Sequence, residues 1–436
     1  MKVLKFGGTS VGTAARIKEV ANLVCNGEQN IVVLSAMSGT TNCLVDIANC
    51  LYKKDNEGAN ALINRLEHKY NQEIEALYSS DEFRRKGREL IESHFNYIRS
   101  FTIDMFTAYE EKAILAQGEL ISTAMFHYFL AEKGENSVLF NALDFMRINK
   151  QNEPDLDYIK DNCSKAFKQN SDYAIYVVQG YICRNAFGEV DNLQRGGSDY
   201  TASLIGAAIG ATEIQIWTDI DGMHNNDPRF VENTRSIAKL SFDEAAELAY
   251  FGAKILHPTS VLPAKLANIP VRLLNTMKPD APGTLISHYQ EKNKIEAVAA
   301  KDNITAIKIK SGRMLLAYGF LRKVFEIFET YKTPIDMITT SEVGVSVTID
   351  DSRHLNNIVD DLKKFGLVEV DTKQVIICVV GDLVADNAGY ASKILGALKD
   401  IPIRMISYGG SNQNVSLLIS EKYKKEALNL LSKHLF

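Results

Sequence analysis

The stretch that decides the fold is KVLKFGGTS, residues 2–10. Residues 2–6 predict a short buried strand, which ends at Gly7-Gly8. Two glycines allow the backbone to approach an anion closely, and successive N–H groups can hold phosphate oxygens. Lys5 adds a cation, and we expect Thr9-Ser10 to cap a following helix whose N-terminus also favours an anion. Taken alone, this pattern is as typical of a structural turn as of a phosphate site.

The segments that follow continue the alternation of strands and helices. Helical periodicity runs through residues 13–24, and a second strand at 31–34 ends in the polar turn 35–41. Residues 43–130 predict charged helices, with an interruption expected at Gly118-Glu119. Further strands are predicted at 138–140, 174–179, 214–218 and 271–274, and further helices at 201–209 and 241–250. This β-α-β spacing is the signature of a parallel sheet covered by helices.

Composition narrows the class of protein. The chain has 436 residues, of which 46% are hydrophobic and 24% are charged, so it can bury several cores. A formal charge of −5 argues against a general nucleic-acid binder. No apolar run approaches the length of a membrane span, so no membrane partner is expected. The six cysteines form no C-x-x-C pair and the eight histidines no H-E-x-x-H, which disfavours zinc and disulfides and indicates a reducing cytoplasm.

The C-terminal third contains an internal repeat. PIDMI at 334–338 is echoed by PIRMI at 402–406, and each copy reads β-α-β-β-α. The first copy continues into apolar residues 367–370, whereas the second has no closing strand after its last helix. We therefore expect the orphan strand at 295–300 to complete the second copy. The predicted domains are residues 1–290, a first repeat at 303–371, and a second repeat at 295–302 plus 372–436.

Three more polar clusters follow strands or helices in the first 260 residues. QRGGSD at 194–199 combines a glycine turn with Arg195, which can clamp a carboxylate, and Asp199, which can orient a lysine or else cap the helix. TDIDG at 218–222 with NDPR at 226–229 suits a ribose, purine or phosphate edge, or is an ordinary turn. FGAKILHP at 251–258 places a lysine after a glycine at a helix end; a solvated lysine is equally compatible.

Together these clusters resemble the aspartate kinase family of the amino acid kinase superfamily. The resemblance covers essentially the whole chain, because the repeats look like the tandem ACT domains of that family. It implies an αβα sandwich with a central, mainly parallel sheet, followed by two ferredoxin-like βαββαβ domains. It also implies transfer of the ATP γ-phosphoryl group to the β-carboxylate of L-aspartate, with Mg²⁺. Since a carboxylate is already ionised at pH 7, no general base is required, and catalysis rests on alignment and charge neutralisation.

The resemblance also implies roles for individual residues. Lys5 and Asp199 are the expected catalytic pair, with Lys5 on the phosphates and Asp199 orienting lysines. The aspartate-binding residues implied are Thr41, Glu119, Arg195 and Ser198, with Glu119 on the ammonium and Arg195 on the α-carboxylate. The ATP-binding residues implied are Lys5, Gly7, Gly8, Ser10, Thr218, Asp219, His224, Arg229 and Lys254. His224 stands where the family often has tyrosine, and no protein side chain is assigned to a metal.

The ACT repeats imply regulation by an amino acid at an interface of two chains, with lysine as the first expectation and threonine as the second. The residues that match the lysine-sensitive pattern are Met314, Gly319, Phe320, Leu321, Asp336, Ser341 and Glu342. Asp336 and Glu342 can pair with an ammonium of lysine, or they merely face solvent. Ala317 replaces a polar residue of the pattern. ACT sheets that pair by their edges imply a homodimer or a dimer of dimers.

Two alternatives remain from the sequence. One is a related kinase acting on glutamate, carbamate or UMP, which the combination of Glu119 and Arg195 disfavours. The other is a catalytically silent amino acid sensor, which the presence of Lys5 and Asp199 disfavours. A fused homoserine dehydrogenase is not expected, since the repeats fill the roughly 140 residues that follow the kinase domain.

Overall fold

The computed structural model describes residues 1–103, 105–193, 196–252, 256–289, 291–312, 318–383 and 388–436. The chain forms two compact units. The first is Met1–Met223 with Ile255–Tyr289, and the second is His224–Lys254 with Gln290–Phe436. Residues 224–254 thus group with the C-terminal region, whereas the sequence assigns them to the catalytic domain. The predicted domain limits stay a prediction.

Strands follow the predicted alternation along the chain. The strands up to residue 287 are β1 (Lys2–Phe6), β2 (Asn30–Leu34), β3 (Ser137–Phe140), β4 (Ile175–Gln179), β5 (Ile182–Arg184), β6 (Val190–Asn192), β7 (Ile214–Thr218), β8 (Lys239–Ser241), β9 (Val271–Asn275) and β10 (Thr284–Ser287). The later strands are β11 (Ile295–Lys310), β12 (Ile338–Ser341), β13 (Gly344–Ile349), β14 (Leu367–Gly381), β15 (Ile403–Tyr408) and β16 (Asn414–Ser420).

Helices connect these strands. In the first 290 residues they are α1 (Ala14–Val24), α2 (Thr40–Tyr52), α3 (Asn56–Leu77), α4 (Asp81–Ser100), α5 (Ala108–Glu132), α6 (Leu156–Gln169), α7 (Gly197–Ile209), α8 (Phe242–Phe251) and α9 (Leu262–Leu266). In the C-terminal region they are α10 (Phe320–Thr330), α11 (Leu355–Lys363), α12 (Tyr390–Ala397) and α13 (Lys424–Leu435).

The first unit is built on a mainly parallel sheet. Its strands lie in the order β3-β4-β2-β1-β7-β9-β10. Neighbours from β3 to β9 are parallel, and β10 runs antiparallel to β9. The predicted parallel sheet is therefore confirmed. The polar turns after β1, β2 and β4 meet at one edge of the sheet, because parallel strands end on the same side.

Alternation along β1 separates the hydrophobic core from the polar site. Leu4 and Phe6 belong to a core that also contains apolar side chains of α1 to α5. Successive side chains of a strand point to opposite faces, so Lys5 points to the face covered by α7. One strand thus anchors the core and presents a cation on its other face.

The helix α5 differs from its prediction. It runs without interruption through Gly118-Glu119, because the glycine serves close packing rather than a break. A Cβ at Gly118 would lie only 2.8 Å from Cβ of Ala36, so a larger residue would separate α5 from the turn after β2. The prediction of an interrupted helix is therefore wrong. Gly118 allows close packing against Ala36 within a continuous helix.

The second unit contains an antiparallel sheet in the order β12-β13-β11-β14-β16-β15. Two long strands join its halves: residues 306–310 of β11 pair with 367–371 of β14, and residues 295–301 pair with 376–381. The segment at 295–300 therefore pairs with the first strand of the second repeat. Its Ile295 and Val298 belong to the core that α12 and α13 cover, whereas Ile307 and Ile309 belong to the core of α10 and α11.

Two expectations from composition can be compared with the structure. The six cysteines are all free. Among the helices in the described part of the chain, none combines the length and apolar character that crossing a bilayer requires.

Candidate active site

An ion pair between β1 and α7 lies at the centre of the site. Lys5 Nζ is 2.6 Å from Asp199 Oδ1, and the two side chains are 12% and 15% exposed. Apart from this pair, Asp199 Oδ1 has no hydrogen-bond partner in the described part of the chain. The two predicted catalytic residues, 194 positions apart, are therefore adjacent, and the carboxylate holds the lysine ammonium in one place.

The helix α7 begins without a side-chain cap. Its N-cap is Gly196 at φ +82°, a conformation that favours glycine, and Asp199 lies in the first turn. The alternative that Asp199 caps the helix is therefore wrong. Since the first N–H groups of a helix have no intrahelical partner, this end can receive an anion, although it is crowded: a Cβ at Gly196 would lie 2.9 Å from Cβ of Ser260.

The glycine turn after β1 approaches the turn after β2. A Cβ at Gly8 would be 2.8 Å from the carbonyl oxygen of Ala36, whereas a Cβ at Gly7 meets nothing closer than Lys5 Nζ at 3.6 Å. The Gly7 N–H donates to the carbonyl oxygen of Trp217 at 3.2 Å. Of the two glycines, Gly8 is thus the one that the fold requires to lack a side chain.

The predicted capping by Thr9-Ser10 is wrong. The helix α1 begins at Ala14 with Thr13 as its N-cap. The Ser10 hydroxyl instead forms a 2.7 Å hydrogen bond with the Thr276 hydroxyl. The α1 N-terminus already has an anionic partner, because the Ala14 N–H donates to Glu73 Oε2 at 2.6 Å. Of the two helix ends, only that of α7 remains a candidate for a ligand anion.

A cavity of about 400 Å³ lies beside these turns. Its lining residues are Gly8, Thr9, Ser35, Ala36, Met37, Ser38, Gly39, Thr41, Asn42, Glu119, Tyr181, Gly197 and Ser198. Three of the predicted aspartate-binding residues, Thr41, Glu119 and Ser198, thus line the same cavity. Ser198 is held by a 2.9 Å hydrogen bond with the Ser35 hydroxyl.

Glu119 carries an unsatisfied carboxylate oxygen into this cavity. The side chain is 3% exposed, and Oε1 accepts a hydrogen bond from the Ala36 N–H at 3.2 Å. Oε2 has no hydrogen-bond partner among the residues that the structure describes. Burial raises the pKa of Glu119 to about 8, and the Ala36 N–H opposes this shift only in part. A buried carboxylate with a free oxygen is a site for a ligand cation such as an ammonium.

Two of the predicted nucleotide residues of the first unit, Thr218 and Asp219, lie at the end of β7. Thr218 ends the strand, and its hydroxyl donates to Asp219 Oδ1 at 3.1 Å. Asp219 is exposed, so its carboxylate is accessible to a ligand. Because β7 runs parallel to β1, these two residues lie at the sheet edge where β1 also ends, and their role in binding a nucleotide stays a prediction.

Two further nucleotide residues belong to the second unit. His224 Nδ1 lies 3.3 Å from the Thr234 hydroxyl. Arg229 forms a bidentate pair with Asp227, at 2.7 Å for the Nη2–Oδ2 contact, and its side chain is 76% exposed. Of the remaining predicted residues, Arg195, Lys254 and Met314 lie outside the described part of the chain, as does Ala317. Their roles stay predictions.

The predicted effector residue Asp336 is buried in an internal ion cluster of the second unit. Its side chain is 1% exposed, and Oδ1 lies 2.6 Å from Lys301 Nζ. The Tyr250 hydroxyl donates to the same oxygen at 2.8 Å, whereas no described residue bonds to Oδ2. Burial raises the pKa of Asp336, and the Lys301 ammonium offsets part of that rise. The alternative that Asp336 merely faces solvent is wrong.

The other predicted effector residues lie at element ends. Gly319, at φ +80°, precedes α10, where Phe320 is buried and Leu321 is 38% exposed. Ser341 and Glu342 are exposed at the turn between β12 and β13.

Comparison with known proteins agrees with this geometry. Residues 1–275 match the model of the amino acid kinase family, and residues 377–435 match an ACT domain model. Aspartokinase 2 of Arabidopsis thaliana is 33% identical over 100% of this chain and 84% of its own length. The structure of Escherichia coli aspartokinase III with aspartate and ADP matches with a TM-score of 0.85 and 30% identity, covering both chains completely. The same enzyme with lysine and aspartate matches with a TM-score of 0.84 and 31% identity, again over both chains.

The chain therefore belongs to the amino acid kinase family and, within it, to the aspartokinases. It is an aspartate kinase with an amino acid kinase fold and a C-terminal ACT domain. The sequence-based expectations of fold and enzyme class are confirmed. A silent amino acid sensor is thereby excluded.

Two residues near these sites were missed by the sequence analysis. Tyr181 lines the cavity, and Lys301 neutralises Asp336. Neither residue lies in a motif, because one follows an ordinary strand and the other lies within the long strand β11. The glycine before Tyr181, at the end of β4, was the only local signal of a special turn.

Proposed function

We propose that the 400 Å³ cavity binds L-aspartate and that its β-carboxylate receives the γ-phosphoryl group of ATP, giving 4-phospho-L-aspartate. In this proposal the enzyme catalyses the first step of lysine, threonine and methionine biosynthesis. The observation that carries the assignment is the buried carboxyl of Glu119, whose Oε2 has no hydrogen-bond partner among the described residues and which lies at the same sheet edge as the Lys5–Asp199 pair. An amino acid is a substrate whose ammonium can satisfy that oxygen.

The remaining contacts follow from the substrate's two carboxylates. Ser198 and Thr41 offer hydroxyl donors in the same cavity, and the N-terminal N–H groups of α7 favour a negative charge. Arg195 would clamp the α-carboxylate. The 30% identical E. coli structure with aspartate and ADP supports an aspartate-sized ligand together with a nucleotide.

The chemistry requires alignment more than proton transfer. The attacking carboxylate is ionised at neutral pH, so the enzyme needs to neutralise the transferred phosphoryl group. Lys5 would contact the phosphates, held in position by Asp199. Gly7, Gly8 and Ser10 would lie along the phosphates with the Gly8 N–H as the donor, because the N–H groups of Gly7 and Ser10 already donate to the carbonyl oxygens of Trp217 and Gly7. Thr218, Asp219, His224, Arg229 and Lys254 would bind the rest of ATP.

Mg²⁺ fits this site as a partner of the nucleotide. Among the described residues there is no group of three or more His, Cys, Asp or Glu side chains arranged to hold a metal. The ion would therefore be bound mainly by the ATP phosphates, where it supplies further neutralisation of charge. Asp199 is already engaged by Lys5, which leaves it a poor additional ligand.

An acyl phosphate can be trapped directly, which tests the proposed reaction. The purified chain is incubated with ATP and Mg²⁺ plus aspartate, glutamate or no acceptor, and hydroxylamine converts any acyl phosphate to a hydroxamate. We expect hydroxamate with aspartate at a rate at least tenfold above that with glutamate. Equal rates with glutamate would contradict the substrate assignment, and no hydroxamate with either would contradict the reaction.

We also propose that lysine inhibits this enzyme through the first ACT repeat. Support comes from the E. coli relative, whose structure contains lysine and aspartate. The site would be formed by Gly319, Phe320, Leu321, Asp336, Ser341 and Glu342, together with Met314, which lies outside the described residues. Because Lys301 already neutralises Asp336, the exposed Glu342 is the better partner for the effector's ammonium unless Lys301 moves.

Initial rates measured at increasing lysine or threonine test this regulation. We expect lysine to inhibit, and Glu342→Gln to raise the half-inhibitory lysine concentration at least tenfold. Glu326→Gln is the matched control, since that exposed carboxylate pairs with Arg322 on α10. If threonine inhibits and lysine does not, the lysine proposal is wrong and threonine is the effector.

The quaternary structure and the domain limits belong to the same proposal. We infer domains at 1–290, 303–371 and 295–302 plus 372–436, since the segment at 295–301 pairs with residues 376–381. The outermost strands β12 and β15 would join two chains as a homodimer or a dimer of dimers. Sedimentation equilibrium that gives a monomer at micromolar concentration would contradict the assembly.

A further inference from the structure

Tyr181 adopts a backbone conformation that tyrosine normally avoids. Its φ is +67°, and the Ile182 N–H donates to the carbonyl oxygen of Gly180 at 2.7 Å. A hydrogen bond that spans two residues around a positive φ defines the rare and strained form of the γ-turn. Glycine would form this turn without steric cost, so the tyrosine side chain is retained against a backbone penalty.

The surrounding structure holds the strained residue on both sides. The Tyr181 N–H donates to the Thr201 hydroxyl at 2.9 Å, and the Tyr181 carbonyl oxygen accepts from the Leu193 N–H at 2.9 Å. The ring lies against the first turn of α7, because a Cβ at Gly197 would be 3.5 Å from Tyr181 Cδ2. The side chain is therefore fixed by α7 and by the loop before it, as a preorganised binding group must be.

This fixed side chain forms part of the wall of the proposed aspartate cavity. Tyr181 lines that cavity with Glu119 and Ser198, and its hydroxyl has no hydrogen bond to any described residue. Burial, together with the Glu119 and Asp191 carboxyls, raises the pKa of Tyr181, so the phenol stays protonated. A protonated phenol without a protein acceptor is a donor available to a ligand anion.

We propose that Tyr181 is an aspartate-binding residue whose hydroxyl donates a hydrogen bond to a carboxylate of the bound amino acid. This inference rests on the proposed aspartate cavity. Glu119 would bind the ammonium from one wall, and Tyr181 would orient a carboxylate from another. The strained turn then serves to aim the phenol at the substrate, which explains why a tyrosine is placed where glycine would fit best.

Tyr181→Phe tests the role, since it keeps the ring and removes only the hydroxyl. Loss of one neutral donor to a carboxylate corresponds to an increase of roughly threefold to tenfold in the KM for aspartate. We expect kcat to change less than about twofold, and the KM for ATP and the melting temperature to stay at wild-type values. Tyr200→Phe on α7 is the matched control, because Tyr200 is half-buried but does not line the cavity.

Glu119→Gln separates failure of this inference from failure of the proposed cavity. If Glu119→Gln raises the KM for aspartate and Tyr181→Phe does not, the role of Tyr181 is wrong and the cavity assignment stands. If neither variant changes that KM, the cavity assignment itself is wrong. A Tyr181→Phe variant that alters both KM values together with the melting temperature would show a structural role and overturn the proposal.

Discussion

The Lys301 ammonium lies 2.6 Å from Asp336 Oδ1 and 2.9 Å from Asp350 Oδ2, which joins β11 to the segments before β12 and after β13. The same ammonium lies 4.2 Å from the centroid of the Tyr250 ring on α8. Burial lowers the pKa of Lys301, but Asp336 and Asp350 outweigh it and raise the pKa. One lysine thus connects α8, which precedes the FGAKILHP motif, with a carboxylate of the proposed effector site.

Lys301→Met should lower the free energy of unfolding of the chain by about 3 kcal/mol. The reason is that removing one partner of a buried ion pair leaves the other charge uncompensated. Lys310→Met is the matched control, because the Lys310–Glu369 pair is 49% and 44% exposed, and such surface pairs contribute less than about 1 kcal/mol. Denaturant titration of both variants measures the difference, and equal losses would show that burial of Asp336 has no energetic effect.

Lys5→Met and Asp199→Asn should each lower kcat at least about 100-fold, the scale observed when one preorganised electrostatic group is removed. Asp199→Asn acts by releasing the lysine ammonium that it holds at 2.6 Å. Lys2→Met on the same strand is the control, since its pair with Glu28 is on the surface. The hydroxamate assay measures kcat for each variant. Turnover within tenfold of wild type in either variant would contradict the catalytic pair.

The KM for aspartate should depend on pH through Glu119. Burial raises the pKa of that carboxyl from 4.5 to about 8, so the empty cavity holds a proton at pH 7. Binding of an ammonium favours the ionised form, and the proton is released. We therefore expect the KM to fall roughly tenfold per pH unit from pH 6 to 7 and to become constant above about pH 8.

Glu119→Gln supplies the control for this pH dependence. It should raise the KM for aspartate at pH 8 at least about tenfold, since a buried charged contact is lost, and it should abolish the variation with pH. The raised pKa of Glu119 also affects the stability of the empty enzyme. The protonated carboxyl stabilises the folded chain below pH 4.5, and this stabilisation is lost as the pH rises through about 8. A wild-type KM that is constant from pH 6 to 8 would refute the role of Glu119.

Gly8→Ala and Gly7→Ala should differ sharply. A Cβ at position 8 would be 2.8 Å from a backbone oxygen of Ala36, which cannot move without shifting the turn after β2. A Cβ at position 7 meets nothing closer than 3.6 Å. We expect Gly8→Ala to raise the KM for ATP at least about tenfold or to prevent folding, and Gly7→Ala to change it less than about threefold. Similar KM values for ATP in both variants would show that ATP binding does not depend on the close approach of Gly8 to Ala36.

Local patterns were sufficient for much of the fold. The strand and glycine turn at residues 2–8, a helix at 201–209 and the C-terminal repeat pattern were all predicted, because each depends on neighbours in the chain. The predictions that were wrong concern packing. Gly118 did not break α5, and Thr9-Ser10 did not cap α1, since contacts with Ala36 and Thr276 determine what these residues do.

The sequence by itself thus determined the β-α-β alternation, the internal repeat and the residue types that a phosphoryl-transfer site requires. Only the tertiary structure decided which of these side chains meet. Lys5 contacts Asp199 because β1 alternates and α7 covers one of its faces. The pKa of Glu119, the pairing of Asp336 with Lys301 and the strained turn at Tyr181 depend on burial and on distant partners. Desolvation and long-range contacts are properties of the packed chain, and for that reason no local sequence pattern predicted them.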